Sequence, residues 1–169
     1  MTMPEEINRM VTDSITDYFF TTTRWASSNL VKAGIDENRI YLVGNVMIDT
    51  LLANIDCFVK PAIYDELNLQ EKGYIMLTLH RPANVDETNH LKALMTEIVE
   101  NAKGLPIIFP IHPRTAKLFA ELGIEAPNLH IVSPMGYLEF NYMVKRALAV
   151  VTDSGGITEE TTVMGVPCI

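Results

Sequence analysis

The sequence predicts an α/β fold built on a doubly wound parallel sheet, and three observations carry that expectation. From about residue 74 onward, short apolar runs alternate regularly with stretches of helical period. The runs are apolar throughout rather than at every second residue, as in strands covered on both faces. Polar residues able to do chemistry follow directly after the runs, where such a sheet collects its ligands.

The chain opens less regularly. Pro4 suits the first turn of a helix over 4–15, with Glu5 and Glu6 at the positive end of its dipole and Ile7, Met10 and Val11 on one face. Tyr18-Phe19-Phe20-Thr21 is a short β-prone run. A second helix spans 23–33, with Trp25, Leu30 and Val31 apolar and Gly34 as its stop. Arg39-Ile40-Tyr41-Leu42-Val43 is a second strand, Gly44-Asn45 a turn, and 46–55 a helix. Residues 56–72 hold Pro61, scattered charges and no clear period, and read as a linker or domain crossover.

The regular part follows. Strands are expected at 74–79, 106–109, 129–132 and 147–151, and helices at 87–101, 114–122, 137–146 and 157–164. Leu91, Leu94, Met95 and Ile98 mark the buried stripe of the first of these helices; Gly123 and Gly165 close two others. Right-handed crossovers turn this order into a Rossmann-like sheet. The final Gly165-Val166-Pro167-Cys168-Ile169 looks like the beginning of another buried strand, which reads as an internal piece of a longer enzyme.

Composition narrows the function classes. A net charge of −8 argues against a general nucleic-acid binder, which would show a basic face. Cys57 and Cys168 stand in no metal spacing and read as reduced thiols of a cytoplasmic protein. No signal peptide and no apolar run near membrane-spanning length is visible, so no membrane partner is expected.

Four stretches end or follow strands and would share one sheet edge: His80-Arg81, His112, residues 133–137, and Asp153-Ser154-Gly155-Gly156. The last opens a helix, whose free N–H groups and dipole attract an anion, and glycine lets a phosphate approach the backbone. Glu159 and Glu160, about one turn further on, suit sugar hydroxyls rather than phosphate. Locally the stretch reads equally well as a nucleotide-sugar cradle or as an ordinary turn with Asp153 or Ser154 as N-cap. His80 and Arg81 can donate to phosphate oxygens, and His80 can move a proton near neutral pH. His112, between Ile111 and Pro113, reads more readily as structural, and Tyr137 and Phe140 as core residues.

Other chemistries find less support. There is no His-x-x-x-His, His-x-His or Cys pair for a metal, and no cofactor is expected. Ser154 lacks the Gly-x-Ser-x-Gly of a nucleophile elbow. The paired glycines match neither a dinucleotide fingerprint nor a P-loop.

Thr152-Asp153-Ser154-Gly155-Gly156-Ile157-Thr158-Glu159-Glu160 resembles the nucleotide-sugar motif of the non-hydrolysing UDP-N-acetylglucosamine 2-epimerases. Pro4-Glu5-Glu6-Ile7-Asn8-Arg9, Gly44-Asn45-Val46-Met47-Ile48-Asp49, Thr78-Leu79-His80-Arg81, His112-Pro113-Arg114 and Tyr137-Leu138-Glu139-Phe140 agree with the family in the same order. Two departures stand out. Pro82-Ala83-Asn84 replaces a basic or small residue followed by glutamate, and Met3 stands where an aromatic is common.

The resemblance implies a glycosyltransferase-B-type fold, with two Rossmann-like domains facing a cleft. Residues 1–58 would be the tail of the N-terminal domain and 59–169 most of the C-terminal, UDP-binding domain. Ser154, Gly155 and Gly156 would hold the diphosphate and Glu160 the ribose hydroxyls. Met135 and Phe140 would lie beside the uracil, and His80 would reach the diphosphate or the leaving oxygen. Glu5 matches a carboxylate implicated in catalysis. Arg81 and His112 match positions that, in some members, help bind a second UDP-N-acetylglucosamine. The implied reaction interconverts UDP-N-acetylglucosamine and UDP-N-acetylmannosamine in a homodimeric parent. The alternatives are a hydrolysing epimerase, a related glycosyltransferase, or a non-catalytic UDP-sugar-binding fragment.

Overall fold

The structure is a computed structural model that describes residues 4–81, 84, 87–111, 119 and 123–169. The chain divides into two compact units, 1–50 and 51–169.

In the first unit, helix α1 (Pro4–Ile15) begins on Pro4 and carries Glu5 and Glu6 in its first turn. Arg9 pairs with Glu6 and Asp13 along one exposed face. Strands β1 (Phe19–Thr21) and β2 (Ile40–Leu42) pair in parallel, with Phe19 opposite Ile40. Between them lies α2 (Arg24–Lys32), whose N-cap Thr23 accepts from the Ala26 N–H at 3.1 Å. Helix α3 (Val46–Asn54) starts here and runs across the division between the units.

The second unit holds α4 (Ala62–Glu66), β3 (Ile75–Thr78), α5 (Thr88–Asn101), β4 (Ile107–Pro110), β5 (Leu129–Val132), α6 (Tyr137–Arg146), β6 (Ala149–Thr152) and α7 (Gly155–Met164). Its four strands are all parallel, in the order β5-β4-β3-β6. Side chains alternate across this sheet, as the strand period requires. Tyr74, Met76, Ile108 and Val150 pack on one face with Met143 and Val144 of α6. Leu77, Ile107 and Phe109 pack on the other with Leu91 and Met95 of α5. Both faces are therefore covered, which is why the strands are apolar throughout. The Tyr74 hydroxyl, fully buried, donates to the Met143 carbonyl at 2.6 Å.

Two details differ from the reading of the sequence. Residues 56–72 are more than a connector: α4 sets Tyr64 edge-on to Tyr74 and Tyr142, and Leu69 is buried in the core. A helix of five residues is too short to leave a legible period. Helix α7 begins two residues earlier than expected and takes both glycines into its first turn. Residues 167–169, where a strand is expected to begin, run parallel beside β6, with the Thr152 N–H donating to the Ile169 carbonyl at 3.0 Å. The helix expected over 114–122 and the residues His112, Pro82 and Ala83 lie outside the described residues.

Candidate nucleotide-sugar site

The strand order creates the site. The chain steps from β3 to β4 to β5 in one direction, then returns to place β6 on the other side of β3. The turns that leave β3 and β6 therefore diverge, and a crevice opens at the carboxyl ends of these two strands. Thr78 and Thr152 are register partners at those ends, and their hydroxyls lie 2.6 Å apart. Thr152 Oγ1 also accepts from the Ser154 N–H at 3.0 Å, which shapes the entry into α7.

The ends of β3 and β4 and residues that follow all four strands line the cavity above this crevice, whose volume is about 510 Å³. Leu79 and His80 follow β3, Pro110 and Ile111 end and follow β4, and Pro134 and Met135 follow β5. Phe140 of α6, Ser154 and Ile157 of α7 close it. Met135 and Phe140 also pack on the core, so one side of each is held while the other faces the cavity.

Ser154 is the N-cap residue of α7, and its side chain makes no capping hydrogen bond. The first N–H groups of a helix have no intrahelical acceptor, so this end offers donors and positive potential to an anion. A Cβ at Gly155 would meet no atom within 4 Å, so the packing there does not require glycine. What the missing Cβ leaves is open approach to the helix end.

Asp153 ties the two diverging turns together. Its carboxylate accepts from the His80 N–H at 3.0 and 3.1 Å, the Arg81 N–H at 2.8 Å and Asn84 Nδ2 at 3.0 Å. His80 Nδ1 lies 2.6 Å from Asp153 Oδ1. Burial pushes the Asp153 carboxyl up, but these hydrogen bonds and the His80 charge outweigh it, and the group sits below its ordinary value.

Glu160 is buried and does not line the cavity. It lies at the second turn of α7 and accepts a hydrogen bond from the Tyr137 hydroxyl at 3.0 Å. Burial holds its carboxyl above the usual range, against the opposing pull of Tyr137 and Asn141. Burial, then the hydrogen bond and charge of Glu160, push the Tyr137 hydroxyl up to about 12. The Asn141 amide is itself fully buried and closes no hydrogen bond of good geometry, although it is near enough to favour the Glu160 charge.

The residues named from the sequence thus fall into groups. His80, Met135, Phe140 and Ser154 meet around one cavity, with Gly155 and Gly156 in the adjoining helix turn. Glu160 stands behind Tyr137, and Arg81 is exposed beside His80 with its N–H on Asp153. Glu5 is exposed on α1 in the other unit, and His112 lies outside the described residues. Thr78, Thr152, Asn84 and Asn141 were given no role from the sequence, and Asp153 only that of a possible N-cap within its stretch. Thr78 and Thr152 lie 74 positions apart and Asn84 and Asp153 lie 69 apart, and no local spacing reveals such pairs. Among the described residues, no group of three or more His, Cys, Asp or Glu could hold a metal ion. No described helix is long and apolar enough to cross a membrane.

The family profile described as UDP-N-acetylglucosamine 2-epimerase matches residues 1–169. The UDP-N-acetylglucosamine 2-epimerase of Methanocaldococcus jannaschii is 40% identical over 178 residues, covering 99% of this chain and 48% of that protein. A UDP-2,3-diacetamido-2,3-dideoxy-D-glucuronate 2-epimerase of Pseudomonas aeruginosa is 36% identical, covering all of this chain and 47% of its own. The crystal structure of the M. jannaschii enzyme in complex with UDP-GlcNAc and UDP superposes with a TM-score of 0.82 at 41% identity, covering 98% of this chain and 48% of that one. The chain spans about half the length of the curated relatives it matches. With a family match from the first residue to the last, the chain belongs to the UDP-N-acetylglucosamine 2-epimerase family.

Proposed function

We propose that the whole protein carrying this chain is a non-hydrolysing UDP-N-acetylglucosamine 2-epimerase, and that residues 59–169 supply most of its UDP-binding domain. Residues 1–58 would then belong to the tail of the N-terminal domain, the two domains facing a cleft. The observation that carries the reading is the meeting of His80 and the N-terminal end of α7 in one cavity, at the strand switch of a chain from this family.

In this reading the backbone at Ser154, Gly155 and Gly156 cradles the diphosphate, the uracil lies against Met135 and Phe140, and the ribose hydroxyls take the place of the Tyr137 hydroxyl on Glu160, which is buried behind the cavity. The reaction removes the C2 proton to a base as the C1–O bond breaks. The C2–H electron pair becomes the C1=C2 double bond, and UDP leaves with the C1–O pair. Re-addition of UDP at C1, with a proton returned to the other face of C2, completes the inversion. A helix N-terminus and a protonated His80 stabilise the departing diphosphate, where negative charge grows in the transition state. Glu5 supplies one of the carboxylates that move the proton. Arg81 and His112 serve a second nucleotide-sugar site. The parent acts as a cytoplasmic homodimer, and the 169-residue chain alone binds UDP weakly or not at all and does not epimerise.

The test is incubation of the full-length protein with UDP-N-acetylglucosamine in D2O. UDP-N-acetylmannosamine carrying deuterium at C2 is the expected product. Free N-acetylmannosamine and UDP would instead mark a hydrolysing enzyme, and UDP binding without turnover a binding module.

A further inference from the structure

The Asp153 carboxylate is 7% exposed and, among the described residues, gathers its donors from the turn that leaves β3. Two of those donors are backbone N–H groups and one is the Asn84 amide, so the carboxylate is held ionised at neutral pH. The His80 ring then brings Nδ1 to 2.6 Å from Oδ1. Two lone pairs repel at that separation, so a proton lies between them, and an ionised carboxylate leaves it on nitrogen. In the neutral imidazole this puts the free lone pair on Nε2. The ring is 62% exposed and lines the cavity shared with Ser154.

We propose that Asp153 is a positioning residue that locks His80 in its Nδ1–H tautomer and presents Nε2 to the ligand. The same carboxylate fastens the turn after β3 to the residue that precedes the N-cap of α7. His80 and the helix end are thereby set as one unit rather than as two independent turns. When Nε2 takes up a proton, Asp153 steadies the imidazolium in place, as a buried aspartate does for a catalytic histidine elsewhere. Only the identity of the ligand rests on the epimerase reading; the tautomer and its cause do not.

Long-range 1H–15N correlation of the histidine side chains in the 169-residue chain tests this. At a pH where His80 is neutral, the wild type should show a protonated Nδ1 and an unprotonated Nε2. Asp153→Asn should move the population toward Nε2–H, while Asn84→Ala, which spares the Nδ1 contact, should leave the pattern unchanged. A wild-type Nε2–H pattern, or a pattern indifferent to Asp153→Asn, would overturn the proposal. If Asp153→Asn fails to fold, the wild-type spectrum still decides. In the full-length enzyme, Asp153→Asn should lower kcat by about a hundredfold or more while KM changes little, the signature of a mis-set histidine rather than a lost contact. A protein with no epimerase activity but the Nδ1–H pattern would remove the epimerase reading and leave the role of Asp153 standing.

Discussion

The Tyr137 hydroxyl donates to Glu160 Oε1 at 3.0 Å, joining the first turn of α6 to the second turn of α7 behind the cavity. The pair sets one carboxylate apart from the rest. Because burial raises the Glu160 pKa, the native chain holds this proton over a window above the ordinary value of 4.5 in which the unfolded chain has released it. Its contribution is full below that value and is lost as pH rises through the folded pKa.

The first prediction follows from that sign. The stability difference between wild type and Glu160→Gln should shift against the wild type as pH rises from about 4 toward 7. Urea unfolding of both proteins across that range checks it; a shift in the opposite direction would contradict a raised carboxyl. Tyr137→Phe removes a hydrogen bond that lowers the Glu160 pKa, so NMR titration should find Glu160 higher in that variant.

Asp153 carries the opposite sign. Its pKa lies below the ordinary 3.8, so its stabilisation is present above that value and is lost as pH falls through the folded pKa. Asp153→Ala should cost about 1–3 kcal/mol at neutral pH, because two N–H groups and the Asn84 amide lose their acceptor. The gap to wild type should narrow below about pH 4, measured by denaturant unfolding.

Gly155 separates fold from function. Its side-chain direction is open and it sits in the first turn of α7, so Gly155→Ala should leave stability unchanged or raise it by up to about 1 kcal/mol. The same methyl group would stand between the helix end and a phosphate. Thermal unfolding and UDP affinity of the full-length protein should therefore move in opposite directions.

Tyr74→Phe is the matching control in the core. It strips the donor from a buried Met143 carbonyl and should cost about 1–3 kcal/mol while UDP affinity is kept. Calorimetry and a binding isotherm on one preparation read both quantities.

The elements most legible in the sequence were those whose character is continuous along the chain. The runs that became β3, β4 and β6 were apolar throughout because α5 and α6 cover opposite faces of the sheet. The edge that gathers His80, Met135 and Ser154 followed from alternation alone, since parallel strands end on the same side. The start of α7 was misplaced because glycine disfavours helix interiors, yet Gly155 and Gly156 sit at its first turn, where tertiary placement outweighs propensity. The union of Asp153 with His80 was not legible at all. It joins residues 73 positions apart, and an aspartate after a strand looks like any N-cap. Tyr137 read as a core residue because its spacing to Phe140 is helical, whereas its hydroxyl finds Glu160 through the packing of α6 near α7.

In the proposed function the crevice between β3 and β6 holds the UDP moiety, and a crystal structure of the full-length protein with UDP is the decisive test. The diphosphate should lie on the N–H groups at Ser154, Gly155 and Gly156, with His80 within hydrogen-bonding reach and the uracil beside Met135 and Phe140. UDP bound elsewhere, with this helix end facing only water, would contradict it.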